Sequence, residues 1–157
     1  MLKDRSIVKI KEQDIRFLNR VSNWKEGITE AAQPLLLRKL IENSYVDAMI
    51  ENVEKLGDYI ILVPNVAMPH ARPELGAKGT GASFLKLNEP VMFGEGKKVQ
   101  LIICLATKNN EEHLLLLQNI SYLIDEEEKV ASLLGTNSEK EFYDLVVTYI
   151  EEGIEDE

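Results

Sequence analysis

Two histidines are the side chains of this 157-residue chain best suited to chemistry near neutral pH. His70 stands in VPNVAMPHARPELG, between Pro69 and Pro73. Pro69 fixes its own φ and biases Met68 towards extended geometry, and Pro73 does the same for Arg72. The imidazole is therefore presented by a loop with few conformations, which suits a ring that must meet a partner in one orientation. His113 follows in NNEEHLLLLQNISYLI. With Asn110 as cap it falls in a helix's first turn, where the helix dipole opposes protonation while Glu111 and Glu112 favour it. Taken singly, each has a plain alternative: an idle loop histidine for His70, a polar helix-start residue for His113. As a pair they offer more. A neutral imidazole is a nucleophile that forms a covalent phosphoramidate. A second imidazole can donate a hydrogen bond to the phosphoryl oxygens, and Arg72 can neutralise their charge. Such a site needs no metal and no cofactor.

Competing chemistries find less support. Zinc needs three or four ligands, and two distant histidines with no His/Cys spacing motif supply two. GAKGTGAS is glycine-rich but fits neither the P-loop nor GxGxxG. No GxSxG elbow is present. The single cysteine, Cys104, lies in the apolar run VQLIICLA and reads as a core residue.

The elements that must position the histidines follow from periodicity and punctuation. Asp14–Val21 suits a short strand. SNWKEGITEAAQPLLLRKLIEN reads as a helix capped by Asn23, with Pro34 expected to kink or split it. SYVDAMIENVEKLG places Val46, Met49, Ile50, Val53 and Leu56 at helical spacing, with Ser44 as cap and Gly57 as stop. YIILVP is a short apolar run that Pro64 ends, expected to be a strand. Gly81–Leu87 and Val99–Ala106 are the best strand candidates, and NEPVMFGEGKK between them is expected to be a loop. Three helices follow: EEHLLLLQNISYLI, then EEEKVASLLG ended by Gly135, then SEKEFYDLVVTYIEE with Ser138 and Glu141 as a capping box. The expected fold is α/β, a single mixed sheet flanked by helices on both sides. If the strands before the two histidines are parallel neighbours, both rings reach the same sheet edge.

At this point the residues resemble a known family. VAMPHARPE, then KGTGASFLKLNEPVMFGEGKKVQLIICLATKNNEEHLLLLQNISYLI, is similar to the enzyme IIA domain of the bacterial sugar phosphotransferase system, mannitol/fructose type. Within that superfamily, PHARPE and WKEGITEAAQPLL look most like the ascorbate type. The resemblance implies phosphorylation of a histidine by the phosphocarrier HPr and transfer of the group to a cysteine of enzyme IIB, with the membrane enzyme IIC involved indirectly. The phosphoacceptor carries over onto His70 and the auxiliary histidine onto His113. One position departs: where mannitol-type members place an arginine near the end of the second helix, MIENVEK offers Asn52, and Arg72 is the cation at hand to replace it. The alternative within this family is a regulatory module that signals its phosphorylation state to a transcription regulator or kinase.

The bulk properties agree with that class. The length is expected to make one domain, 1–157, whose acidic end from about residue 151 frays. A net charge of −9, from 18 basic and 27 acidic residues, argues against a nucleic-acid surface and favours a basic partner by steering. The polar N-terminus is no secretory signal and no apolar run approaches twenty residues, so a cytoplasmic location without membrane insertion is expected. Met68, Ala71 and Leu75 are the expected partly apolar rim around His70.

Overall fold

In the computed structural model, which describes residues 9–156, strand β1 (Ile15–Leu18) precedes helices α1 (Trp24–Leu37) and α2 (Asn43–Leu56). A short strand β2 (Asn65–Ala67) then leads through a loop to β3 (Gly81–Met92) and β4 (Lys98–Ala106). Helices α3 (Asn110–Ile124), α4 (Glu127–Leu134) and α5 (Glu139–Glu155) complete the chain. The sheet order is β1-β3-β4-β2. β3 and β4 form an antiparallel centre, with Phe84 opposite Ile103. β1 joins β3 in parallel, and β2 joins β4 in parallel with Ala67 opposite Ile102. The expected mixed sheet with helices on both faces is what forms.

Both faces of the sheet are covered, which explains the near-continuous apolar runs in β3 and β4. Phe84, Leu101, Ile103 and Leu105 pack with Leu116, Leu123, Phe142 and Val146 of α3 and α5. The alternate residues Leu85, Leu87, Ile102 and Cys104 pack with Ile28, Leu35, Tyr45 and Met49 of α1 and α2. Two polar residues of β3 sit inside. Ser83 Oγ donates to the Ala31 carbonyl, and Lys86 Nζ donates to the Thr136 carbonyl at 2.8 Å while lying 4.5 Å from the centre of the Phe17 ring. Gly27 marks a close approach of α1 to the sheet: a Cβ there would stand 2.8 Å from Ile102 Cδ1.

Several expectations are corrected. Pro34 neither splits nor ends α1; the helix runs one turn further, to Leu37. A proline leaves the carbonyl four residues earlier without its donor, and Arg16 Nη1 supplies one to Glu30 O at 2.9 Å. The helix stops well before Asn43 because Lys39 turns left-handed at φ 60° and the amides of Leu40 and Lys39 close back onto Leu35 and Leu36. The cap of α2 is Glu42 rather than Ser44. YIILVP is not a strand. Asp58–Ile60 is a 3-10 turn, Val63 and Val66 bridge across a tight bend, and the strand begins only at Asn65. Conversely, NEPVM is not loop: β3 continues to Met92 through a register shift between Lys86 and Val91. Asn88, Glu89 and Pro90 are exposed in that irregularity, where a proline costs the ladder no hydrogen bond. The strand before α1 is shorter than expected, Ile15–Leu18. At the other end, α5 is helical to Glu155.

Candidate functional site

β2 and β4 run parallel, so their C-terminal ends open on the same edge of the sheet. His70 lies three residues past β2, and His113 lies in the first turn of the helix that follows β4. Their ring centroids are 6.3 Å apart. The backbone pairing reaches almost to His70, because Leu105 N donates to Pro69 O at 3.1 Å.

The loop carrying His70 is tied on every side. Tyr45 Oη donates to Leu105 O at 2.7 Å and accepts from Ala71 N at 3.0 Å, joining the loop to the end of β4. Burial of that phenol pushes its pKa up to about 12. Asn52 Nδ2 donates to His70 O at 3.2 Å. Ser44, no longer a cap, donates to Leu75 O at 3.1 Å and holds the end of the loop to α2. Gly76, at φ 138°, closes the 3-10 turn Pro73–Leu75 where a Cβ would stand 2.7 Å from Ser44 Oγ. The ring itself is oriented by Nδ1, 2.8 Å from the Met68 carbonyl. A carbonyl only accepts, so Nδ1 carries the hydrogen and the lone pair is left on Nε2. The Tyr59 ring meets His70 edge-on, with centroids 5.9 Å apart.

His113 is held more lightly. Asn109, not Asn110, caps α3, and its side chain accepts from Glu112 N at 2.9 Å. His113 Nδ1 and Thr107 Oγ1 are 3.5 Å apart, the outer limit of a hydrogen bond. The direction of the His113 pKa, open in the sequence, is downward: burial comes first and the facing His70 second. The Thr107 hydroxyl can donate or accept; when it donates to Nδ1, the neutral ring presents Nε2–H as a donor.

A cleft of about 300 Å³ joins Asn52, Tyr59, His70, Arg72, Thr107 and His113. Arg72 is exposed at its mouth and has no ion-pair partner among the described residues. Both expected histidines and the expected arginine are thus brought together. Met68 is not at the rim: it is buried against the α3–α5 side of the sheet, because Val66 and Met68 share one strand face. Ala71 is half-buried, and Leu75 is exposed as expected. Cys104 is fully buried, and burial raises its thiol well above the ordinary range, so it stays a core residue. Among the described residues, no three His, Cys, Asp or Glu side chains come together as a metal site. Sequence reasoning missed Tyr45, Tyr59 and Thr107. Tyr45 lies one residue before the periodic Val46, which is the only local sign that it faces inward.

Comparison with known proteins sets this geometry in context. Residues 9–148 match the family described as phosphoenolpyruvate-dependent sugar phosphotransferase system, EIIA 2. The mannitol-specific cryptic phosphotransferase enzyme IIA component of Escherichia coli K12 is 36% identical over 136 residues, covering 86% of this chain and 92% of that one. The ascorbate-specific EIIA component of the same strain is 30% identical over 137 residues, covering 85% and 89%. Identity therefore does not single out the ascorbate branch. The solved complex of the Escherichia coli mannitol enzyme IIA with phosphorylated enzyme IIB contains a similar fold, with a TM-score of 0.76 at 28% identity and coverage of 89% of this chain and 98% of that one. No helix among the described residues is long and apolar enough to cross a membrane.

Proposed function

We propose that this chain, which belongs to the EIIA 2 family of the phosphoenolpyruvate-dependent sugar phosphotransferase system, carries the phosphoryl group on Nε2 of His70. The observation that supports this most is the pairing of a Nδ1–H fixed by the Met68 carbonyl with a second imidazole 6.3 Å away. In the first transfer the Nε2 lone pair attacks phosphorus in phospho-HPr. The new P–N bond forms as the bond to the HPr histidine breaks, and that histidine keeps the electron pair. The loaded ring retains its Nδ1–H, which the Met68 carbonyl stabilises against the positive charge the ring acquires. His113 Nε2–H donates to a non-bridging oxygen, and Arg72 adds charge from the mouth of the cleft. In the second transfer a cysteine thiolate of enzyme IIB attacks phosphorus and the electron pair returns to Nε2. A loose phosphoryl transition state asks for positioning and charge more than for covalent chemistry.

The setting we propose is cytoplasmic, with enzyme IIB receiving the group on behalf of a membrane enzyme IIC. The pairing with IIB is supported by the complex of the mannitol relative. The ascorbate-like reading is supported by PHARPE, by WKEGITEAAQPLL and by Asn52 in place of an arginine. The test is incubation with phosphoenolpyruvate, enzyme I and HPr, followed by intact mass. Wild type should gain one acid-labile, alkali-stable phosphoryl group and folded His70→Ala none. Normal phosphorylation of His70→Ala would overturn the assignment. Delivery to an ascorbate-type IIB should exceed delivery to a mannitol-type IIB; the reverse order would remove the ascorbate reading.

A further inference from the structure

Tyr59 shares the cleft with both imidazoles and has no role in the chemistry described so far. It stands in the 3-10 turn Asp58–Ile60, its ring edge against His70 at 5.9 Å and 67°. The side chain that reaches it is Asn52, on the third turn of α2. Asn52 Nδ2 donates to the His70 carbonyl at 3.2 Å. Burial raises the Tyr59 pKa, and the Asn52 side chain beside the phenol works against that rise. An amide nitrogen has two hydrogens, one for the His70 carbonyl and one for the phenol. The second Asn52 hydrogen can be given to the phenol oxygen, which leaves the phenol's own hydrogen for the cleft that Tyr59 lines.

We propose that the Tyr59 hydroxyl is a further catalytic group, donating to a non-bridging oxygen of the phosphoryl group on His70, with Asn52 as the positioning residue that turns its hydrogen towards the cleft. The proposal rests on the reading of His70 as the acceptor. A phosphoryl group has three such oxygens. His113 meets one, and Arg72, exposed at the mouth, is a loose partner for another. A half-buried phenol packed edge-on against His70 is the better-ordered donor. Because it is neutral, it stabilises the oxygens without adding a cation to the loaded ring.

Tyr59→Phe tests this, since it keeps the ring edge on His70 and removes only the hydroxyl. Wild type, Tyr59→Phe and Tyr59→Leu are compared by rapid-quench transfer from phospho-HPr over a range of HPr concentrations. Loss of a hydrogen bond to a charged group should slow the Phe variant roughly 10- to 100-fold at saturating HPr. The HPr concentration for half-maximal rate should barely move. Asn52→Ala should be slow in the wild-type background and add little in Tyr59→Phe, because the two act as one unit. A Phe variant as fast as wild type beside a slow Leu variant would reduce Tyr59 to ring packing and overturn the proposal. So would a Phe variant affected only in the half-maximal concentration, which would place Tyr59 in docking. A wild type that takes no phosphoryl group overturns the reading of His70 and this proposal together, whereas a phosphorylated wild type with an unimpaired Phe variant overturns the proposal alone.

Discussion

The loop at residues 68–76 and the first turn of α3 each present an imidazole to the same cleft, but they hold it in different ways. The loop is fastened by two backbone-directed tyrosine bonds, an asparagine, a serine and its own carbonyl at Met68. The helix start is held by its cap and by Lys108 against Glu112, and its ring finds Thr107 at 3.5 Å. A nucleophile that must meet two partners in turn needs one lone pair aimed in one direction, so its tautomer is set by main chain. A stabilising donor must follow oxygens that move during transfer, and a lightly held ring on a rigid helix allows that.

Breaking each side of this comparison should give different signatures. His113→Ala should fold normally and slow transfer by roughly a hundredfold or more, the usual cost of removing one oxyanion-stabilising donor. Equal rates to and from both partners would leave His113 with no part in the chemistry. Tyr45→Phe attacks the fastening instead. It leaves Ala71 N and Leu105 O without their buried partner and should cost about 1–3 kcal/mol of unfolding free energy, read by urea denaturation, with transfer slowed because the loop loosens. A variant as stable as wild type would show that Tyr45 does not hold the loop.

The smallest effect is a titration. His113 has a pKa below its unfolded value, so the unfolded chain binds the proton first as pH falls. Its contribution to stability is therefore present above about 6.5, the ordinary histidine value, and is lost as pH drops from there towards the folded pKa. In NMR titrations of the ring, His113 should have a midpoint below the ordinary one. His70→Ala should raise that midpoint part of the way, since burial, the first cause, remains. Phosphorylation of His70 should raise it in wild type, because the group brings negative charge beside the ring. A midpoint indifferent to both changes would mean that the two rings do not sense each other.

Much of the site was legible because it rests on local signals. Two prolines around His70, an asparagine before His113 read as a helix cap though one residue too late, and apolar runs before both histidines pointed to the pair and its place at a sheet edge. What stayed hidden depends on chain segments far apart. Pro34 reads as a helix breaker until Arg16, on β1, is seen to answer the carbonyl it frees. Pro90 reads as loop until the register shift before Val91 takes it up. YIIL reads as a strand because its residues are β-formers, yet Ile60 is buried against α1 and α2 while Leu62 faces out, and pairing with β4 starts after Pro64. Met68 looked like rim because it neighbours His70 in sequence, and strand alternation sends it inward. Tyr45 and Tyr59 carry no motif: their roles come from where α2 and the turn after it meet the loop.

The central claim is that the Met68 carbonyl fixes the hydrogen on Nδ1 of His70 and so directs phosphorylation to Nε2. The direct measurement is NMR of the phosphoprotein with nitrogen-labelled histidine, which identifies the ring nitrogen bonded to phosphorus. The account predicts that the coupled nitrogen is Nε2 of His70, with Nδ1 still bearing its hydrogen. Phosphorus on Nδ1 of His70, or on either nitrogen of His113, would contradict it.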